Sequence, residues 1–272
     1  MASTLSFWFE YASPYSMISA LRLLRALTGG GGGSVPALGG CQVPDLGSVQ
    51  VVYRPVFLGA VFKAAGQPAL PNMSVPGKGR YLFHDVKRTL DLLGSPGFPS
   101  SRPAHWPPST QLAGRMTWLL AQGLEYVGAL DRGDAPEPRH APVLLPAEQT
   151  RVLAEFVWRV FEAEFIAGDD IGQPEVLARL WDAHVAAGPD GSRRAPDGQR
   201  AVALAEQDAA KSGFRASTQA AIDHGLFGAP SFTTADGDMY WGNDRLIDAV
   251  THHQVVAGNG ASSGFCVAKA NI

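Results

Sequence analysis

The sequence predicts an α/β fold in which two separate segments of the chain form one sheet around a large helical insertion. A β–α–β pattern covers residues 5–53, and a β–β–α pattern covers residues 231–253. The residues between them have apolar side chains three and four positions apart, which is typical of helices. The β–α–β order indicates a parallel pair with a right-handed crossover, and the Asp236-Gly237 turn indicates a hairpin.

The first unit begins with a strand at Leu5–Glu10, which is short, aromatic and prone to β structure. A helix from Pro14 to Leu27 follows, because serine suits the N-cap at position 13 and proline suits the first helical position. Its apolar stripe leaves Arg22 and Arg25 outside. Ser48–Tyr53 is predicted to be the second strand.

Seven helices are predicted after it, at Val56–Ala65, Tyr81–Leu93, Thr110–Gly123, Ala147–Ile166, Glu175–Ala187, Ala201–Lys211 and Ser217–His224. The hairpin strands Ser231–Thr234 and Met239–Trp241 and a helix at Asn243–His253 complete the pattern.

The predicted domains follow from this order of elements. Residues 1–56 and 214–260 form a discontinuous domain around the sheet, and residues 57–213 form the helical insertion. Residues 28–48 are a Gly- and Pro-rich loop insertion. Its five consecutive glycines favour a linker, since they lack the context of a phosphate-binding loop.

Composition excludes several classes of protein. The chain has 272 residues, is 46% hydrophobic and 17% charged, and carries a net charge of −3. This balance is that of a globular protein, and it provides no general attraction to nucleic acid or anionic lipid. No run of 18 apolar residues indicates a membrane span.

The cysteines and the N-terminal sequence bear on the compartment. Cys41 and Cys266 are too few for a disulfide framework and are interpreted as incidental free thiols in a reducing compartment. The first strand begins so early that no signal or transit peptide is expected. We therefore expect an intracellular protein, most simply a cytoplasmic one, with mitochondrial and peroxisomal locations left open.

The tetrapeptide Ser13-Pro14-Tyr15-Ser16 follows the first strand and opens the first helix. A thioredoxin-like protein carries Cys-x-x-Cys at this place, whereas this chain has a hydroxyl in place of each thiol. A helix N-terminus stabilises a bound anion, so Ser13 could hold the thiolate of a ligand there. The alternative is that Ser13 is only an N-cap.

Two later segments complete this pattern. Ala229-Pro230 stands immediately before the hairpin, where thioredoxin-like folds have a cis-proline that leaves the preceding backbone available to a peptide-like ligand. Asn243 and Asp244 follow the hairpin and could bind a carboxylate and an ammonium group. The alternatives are a plain strand start at Pro230 and a helix cap at residues 243 and 244.

With these segments the chain resembles the kappa-class glutathione transferases and the related 2-hydroxychromene-2-carboxylate isomerases, a thioredoxin-like family with a DsbA-type helical insertion. The resemblance covers about residues 5–250 and rests on six stretches in order. These are Phe9–Ser16, Tyr53-Arg54-Pro55, Pro76–Tyr81 with Asp85, Ala113-Gly114-Arg115, Phe227–Pro230 and Gly242–Arg245.

The resemblance implies glutathione as co-substrate or cofactor, with Ser13 as the catalytic residue that hydrogen-bonds its sulfur. It further implies contacts from Lys78 to the glycyl carboxylate, from the Ala229 backbone beside Pro230 to the cysteinyl residue, and from Asn243 and Asp244 to the γ-glutamyl end. Gln67 stands where the kappa-class pattern has an asparagine, and Ser109 where the isomerases commonly have one. Lys78 could instead be simply solvated.

The expected activity is that of a glutathione transferase acting on a small hydrophobic electrophile. The alternatives are a glutathione-dependent cis–trans isomerase and a non-catalytic thioredoxin-like binding module. Tyr15 and Trp106 could wall a second-substrate pocket or serve only in packing. The resemblance suggests a homodimer, and the histidine spacing indicates no metal site.

Overall fold

The computed structural model describes residues 4–29, 42–68, 71–99, 102–103, 105–135, 137, 143–188 and 192–258. Within this part of the chain, no helix has both the length and the apolar character that crossing a membrane requires. Residues 30–41, and with them most of the loop insertion predicted at 28–48, lie outside the described residues, as do Cys41 and Cys266. At the end of that insertion, Leu46 is buried in the core.

Four strands form a single mixed sheet in the order β2-β1-β3-β4. Their bounds are β1 Thr4–Phe9, β2 Gln50–Pro55, β3 Ser231–Thr233 and β4 Met239–Trp241. β1 pairs in parallel with β2, β3 is antiparallel to β1, and β3 and β4 form the hairpin. The predicted parallel pair and the predicted hairpin are therefore confirmed.

Ten α-helices are described: α1 Pro14–Thr28, α2 Leu58–Ala64, α3 Pro76–Leu92, α4 Gln111–Ala121, α5 Leu124–Arg132, α6 Ala147–Glu162, α7 Pro174–Trp181, α8 Gly198–Ala205, α9 Asp208–Asp223 and α10 Leu246–Gly258. α6 and α7 each continue into a π-helical turn, at Ala163–Ala167 and Asp182–Ala186, and a 3₁₀ turn at Asn243–Arg245 precedes α10. One continuous apolar core joins the sheet to the insertion helices.

The structure differs from the predicted helices in three places. α3 begins at Pro76 instead of Tyr81, because proline at the first helical position starts the helix within the predicted loop. α5 was not predicted. The helix predicted at 201–211 is wrong, since the chain breaks after Ala205 and α9 starts at Asp208. The boundary drawn between residues 213 and 214 falls inside α9, and the division into domains stays a prediction.

Candidate active site

The sheet and the insertion enclose a cavity of about 1340 Å³. Its wall contains the start of α1, parts of α2 and α3, the segment before α4, and the segments on either side of the hairpin. All residues predicted for the two binding sites line it: Ser13, Tyr15, Gln67, Lys78, Trp106, Ala229, Pro230, Asn243 and Asp244. The structure thus brings these residues to one cavity, and the ligand contacts assigned to them stay predictions.

Ser13 is the N-cap of α1, as its sequence context predicts. Its backbone is extended, and its Oγ accepts a hydrogen bond from the N–H of Ser16 at 3.2 Å. The same hydroxyl donates to the carbonyl oxygen of Ala229 at 2.9 Å, which joins the start of α1 to the loop before β3. An anion beside Ser13 would meet the positive end of the α1 dipole.

The loop before β3 forms the part of the wall next to Ser13. The Ala229–Pro230 peptide bond is cis, and Gly242 N–H donates to the carbonyl oxygen of Pro230 at 3.0 Å. The indole of Trp241 lies directly against Gly228, where a Cβ would be 2.4 Å from its Nε1. Glycine is therefore required at position 228 for this ring to cover the loop.

Asn243 is buried, and Arg22 holds it in place. The guanidinium of Arg22 donates to Asn243 Oδ1 at 2.9 Å and to the backbone carbonyl of the same residue. It also donates to the carbonyl of Gln42 at 2.5 Å. The sequence places Arg22 outside the apolar stripe of α1, but its side chain is fully buried beneath the Asn243 segment. Asp244 is exposed at the rim.

Gln67 and Lys78 come from the insertion side of the cavity. The side-chain amide of Gln67 donates to the carbonyl oxygen of Phe227 at 3.0 Å, which ties the end of α2 to the loop before β3. Lys78 lies in the first turn of α3, not in the predicted loop, and its side chain is exposed. A cation at this rim is available to an anionic ligand.

Tyr15 and Trp106 are anchored wall residues. The hydroxyl of Tyr15 donates to Asp85 Oδ2 at 2.9 Å, and Asp85 in turn pairs with Arg88. Burial, and then the hydrogen bond to Asp85, raise the pKa of Tyr15 above its ordinary value. Trp106 is buried, and its Nε1 donates to the carbonyl of Ala12 at 2.9 Å. These hydrogen bonds fix both rings at the cavity wall.

Sequence reasoning missed Glu10, which also lines the cavity. Only 5% of this residue is exposed, and its Oε2 accepts the N–H of Ala12 at 2.8 Å. Burial raises the pKa of Glu10 from 4.5 to about 7. The hydrogen bonds from the Thr110 hydroxyl and the Ala12 N–H lower this pKa, but the effect of burial is larger. The sequence contains one signal for it: an acidic residue directly follows a buried strand and stands three positions before Ser13.

Glu10 is expected to make stability depend on pH. Because its folded-state pKa lies above the unfolded value, the folded protein holds this proton more tightly, and its contribution to stability is fully present below about pH 4.5. That contribution is lost as the pH rises through about 7, at a total cost of roughly 3 kcal/mol.

The measurement is the free energy of unfolding of wild type and Glu10→Gln at about pH 5 and pH 8. The variant should gain about 2.5 kcal/mol relative to wild type between these values, because at pH 5 part of the full contribution is already lost. Burial also raises the pKa of Glu164, but that residue contributes to both proteins and cancels in the difference. Parallel pH profiles would contradict the assignment to Glu10.

Ser109, which stands at the isomerase asparagine position, does not line the cavity. Its hydroxyl donates to Gln111 Oε1 at 3.0 Å, at the start of α4. The neighbouring Thr110 lines the cavity instead and contacts Glu10. The polar group at this part of the wall is therefore a threonine hydroxyl.

A group of potential metal ligands lies at the hairpin, although the histidine spacing indicates no such site. Asp236, Asp238 and His252 have ligand atoms within 4.8 Å of one another, the only such group in the described part of the chain. Protein groups already contact the imidazole of His252, whose Nδ1 is 2.6 Å from the Tyr240 hydroxyl and whose Nε2 is 3.3 Å from Asp236. These contacts attach the hairpin to α10.

Comparison with known proteins shows the fold. The sequence profile of the DSBA-like thioredoxin domain matches residues 4–123 and 139–252. Among solved structures, a 2-hydroxychromene-2-carboxylate isomerase is similar with a TM-score of 0.62 and 20% identity, over 93% of this chain and 96% of that one. No curated protein sequence matches the chain.

Two further solved structures are similar at lower identity. One is a probable DsbA oxidoreductase from Streptomyces coelicolor, with a TM-score of 0.58 and 16% identity over 94% of this chain and 91% of that one. The other is a putative protein disulfide isomerase from Nitrosomonas europaea, with a TM-score of 0.55 and 14% identity over 96% of this chain and 100% of that one. The predicted thioredoxin-like fold with a large helical insertion is confirmed.

Proposed function

The chain belongs to the DSBA-like thioredoxin domain family, and from this premise we propose that it is a glutathione-dependent enzyme of the glutathione transferase type. The observation that carries the proposal is the Ser13 hydroxyl at the N-terminus of α1, within 2.9 Å of the Ala229 carbonyl at the cavity wall. Ser13 and Ser16 occupy the positions of the two thiols of a disulfide oxidoreductase, and hydroxyls cannot perform that exchange. The thiol then comes from the ligand.

Glutathione is assigned to the cavity as follows. Its sulfur lies beside Ser13, where the hydroxyl and the α1 dipole favour the thiolate and so supply a nucleophile at neutral pH. The Ser13 hydroxyl has one proton, so it donates to the Ala229 carbonyl in the unliganded protein and turns to the sulfur when glutathione binds. The Ala229 backbone beside Pro230 then pairs with the cysteinyl residue, whose N–H replaces Ser13 as the donor to this carbonyl.

The two ends of glutathione take the remaining predicted residues. Asn243 and Asp244 hold the γ-glutamyl end, and Lys78 and Gln67 the glycyl carboxylate. The electrophile occupies the part of the cavity walled by Tyr15 and Trp106, where aromatic rings favour a small hydrophobic molecule.

A second candidate function is a glutathione-dependent cis–trans isomerase, and Glu10 favours it. Reversible addition of a thiolate to a conjugated double bond needs a group that gives and takes a proton, and Glu10 lines this cavity. The 2-hydroxychromene-2-carboxylate isomerase shares the fold, which is compatible with this activity. Homodimerisation stays a prediction, which sedimentation equilibrium tests.

Titration calorimetry with glutathione tests the proposal, with Ser16→Ala as the matched control for Ser13→Ala. Ser16 is a buried serine on the same helix and does not line the cavity. Wild type and both variants should bind glutathione at millimolar concentration with similar affinity. In Ser13→Ala alone, the pKa of the bound thiol, followed by thiolate absorbance, should rise by about 1–2, the equivalent of one charge-assisted hydrogen bond.

Two results would contradict the proposal. Absence of binding by wild type at millimolar glutathione would reject a glutathione site altogether. A bound thiol with the same pKa in Ser13→Ala and Ser16→Ala would remove Ser13 from its role. Binding of glutathione without reaction toward any electrophile would instead favour the non-catalytic thioredoxin-like module.

A further inference from the structure

Glu10 is a buried acid that the proposed binding of glutathione does not use. It follows the last residue of β1 and lines the cavity together with Ala12, Trp106 and Thr110. The Ala12 N–H and the Thr110 hydroxyl hold its carboxyl group, and Trp106 fixes the intervening backbone through the Ala12 carbonyl. The carboxyl group therefore has a fixed position three residues before Ser13.

We propose that Glu10 is the catalytic acid and base of this site, which protonates the second substrate when the thiolate adds to a carbon conjugated with its carbonyl group. The proposal rests on the proposed function and assigns a further catalytic residue to it. An α,β-unsaturated carbonyl compound generates negative charge on oxygen when a thiolate adds to it, and a neutral carboxyl group in a shielded cavity can neutralise that charge.

The addition step balances as follows. The glutathione sulfur forms a bond to the β-carbon, the electron pair of the carbon–carbon double bond forms the new α-carbon–carbonyl-carbon double bond, and the carbonyl electron pair moves to oxygen. That oxygen takes the proton of Glu10, which leaves a neutral enol and the Glu10 carboxylate. No oxidant or metal takes part in this step.

The enol then has two fates, which correspond to the two candidate functions. When the Glu10 carboxylate takes the proton back, the carbonyl re-forms and the carbon–sulfur bond breaks; rotation before this step gives the isomer and regenerates glutathione. When Glu10 takes the proton from the enol oxygen and a proton is returned by the same carboxyl group to the α-carbon, the carbonyl re-forms with the carbon–sulfur bond intact, and the product is the glutathione adduct. The same residue therefore serves an isomerase and a transferase.

The surroundings of Glu10 support both protonation states near neutral pH. Burial raises its pKa to about 7, whereas the Thr110 hydroxyl and the Ala12 N–H stabilise the carboxylate. The charge of Glu164, which contacts His105 at 3.3 Å, acts in the same direction as burial. Burial raises the pKa of Tyr11, and the Glu10 charge adds to this shift. The Tyr11 hydroxyl is hydrogen-bonded to Thr117 at 2.6 Å.

The test compares two electrophiles with wild type, Glu10→Gln and Glu10→Asp. One electrophile is an α,β-unsaturated ketone, and the other is an activated chloronitrobenzene, whose substitution requires no proton donor. In Glu10→Gln the ratio of kcat/KM for the ketone to that for the chloronitrobenzene should fall about 100-fold. Glu10→Asp should recover part of this ratio. The matched control is Glu164→Gln, a second buried carboxyl that does not line the cavity. Because the Glu164 charge helps to raise the pKa of Glu10, this variant should leave the ratio unchanged at low pH, where Glu10 keeps its proton in both proteins, and should move only the fall of the ratio to lower pH.

A measurement on wild type alone covers the case in which the variants do not fold. The same ratio should fall as the pH rises above about 7, since Glu10 then loses its proton while the thiolate serves both reactions. An unchanged ratio in Glu10→Gln, or a ratio independent of pH in wild type, would overturn the role of Glu10. If the role of Glu10 is overturned in this way, reaction of wild type with the chloronitrobenzene would still support the proposed function. Failure to bind glutathione would reject both the proposed function and the role of Glu10.

Discussion

Replacing Arg22 with methionine should lower the free energy of unfolding by about 2–4 kcal/mol and weaken glutathione binding about tenfold. The guanidinium donates to three oxygens, the carbonyls of Gln42 and Asn243 and Asn243 Oδ1, in a fully buried position. Methionine fills much of the volume but supplies no donor, so these acceptors lose their hydrogen bonds. The Asn243 segment, to which the γ-glutamyl end is assigned, would then lose its support.

The matched control is Arg25→Met on the same helix. Arg25 donates to the Leu93 carbonyl and thereby ties α1 to the end of α3, and neither Arg25 nor Leu93 lines the cavity. We expect a loss of about 1 kcal/mol and unchanged affinity for glutathione in this variant. Denaturant unfolding and calorimetry measure the two quantities. Equal stability losses in the two variants, or wild-type glutathione affinity in Arg22→Met, would contradict the positioning role of Arg22.

The second large effect is expected from Gly198→Ala at the contact between α7 and α8. A Cβ at position 198 would lie 2.0 Å from the carbonyl oxygen of Ala178 and 2.5 Å from its carbonyl carbon. Because the obstacle is backbone and not the end of a flexible side chain, one helix must move. We expect the free energy of unfolding to fall by about 3 kcal/mol, which exceeds the gain of up to about 1 kcal/mol from alanine's helix propensity.

Gly77→Ala is the control for this substitution. Gly77 is also helical, in the first turn of α3, and no heavy atom lies within 4 Å of its ideal Cβ position. Its substitution should be neutral or stabilising by up to about 1 kcal/mol in denaturant unfolding. If Gly198→Ala proves as stable as Gly77→Ala, the close approach of α7 and α8 is wrong.

Local signals in the sequence predicted much of the fold. Ser13-Pro14 gave the start of α1, because serine caps a helix and proline fits its first position. Asp236-Gly237 gave the hairpin, since Gly237 has a φ of 95° and the turn requires it. Ser13, Pro230 and Asn243 lie at one cavity. This was predicted from the family pattern, not from periodicity.

Contacts that depend on tertiary packing were not predicted. An arginine outside an apolar stripe is normally solvated, and only the segments at Gln42 and Asn243 make Arg22 a buried donor. The pairing of Tyr15 with Asp85 likewise joins residues 70 positions apart. Glu10 follows a strand whose alternation does not show whether the next side chain faces solvent or a cavity. Such placements follow from how elements pack, which a local pattern does not encode.

The central position of β1 has a consequence for how this protein folds. β1 pairs with β2 on one side and with β3 on the other, and the Ser13–Ala229 contact joins residues 216 positions apart. The cavity therefore forms only after residues 231–241 have joined the sheet, which makes it a late product of folding, because closing so long a loop is entropically costly. A ligand that binds there reports on completion of the whole sheet, and at 100 times its Kd it would add about 2.7 kcal/mol to global stability.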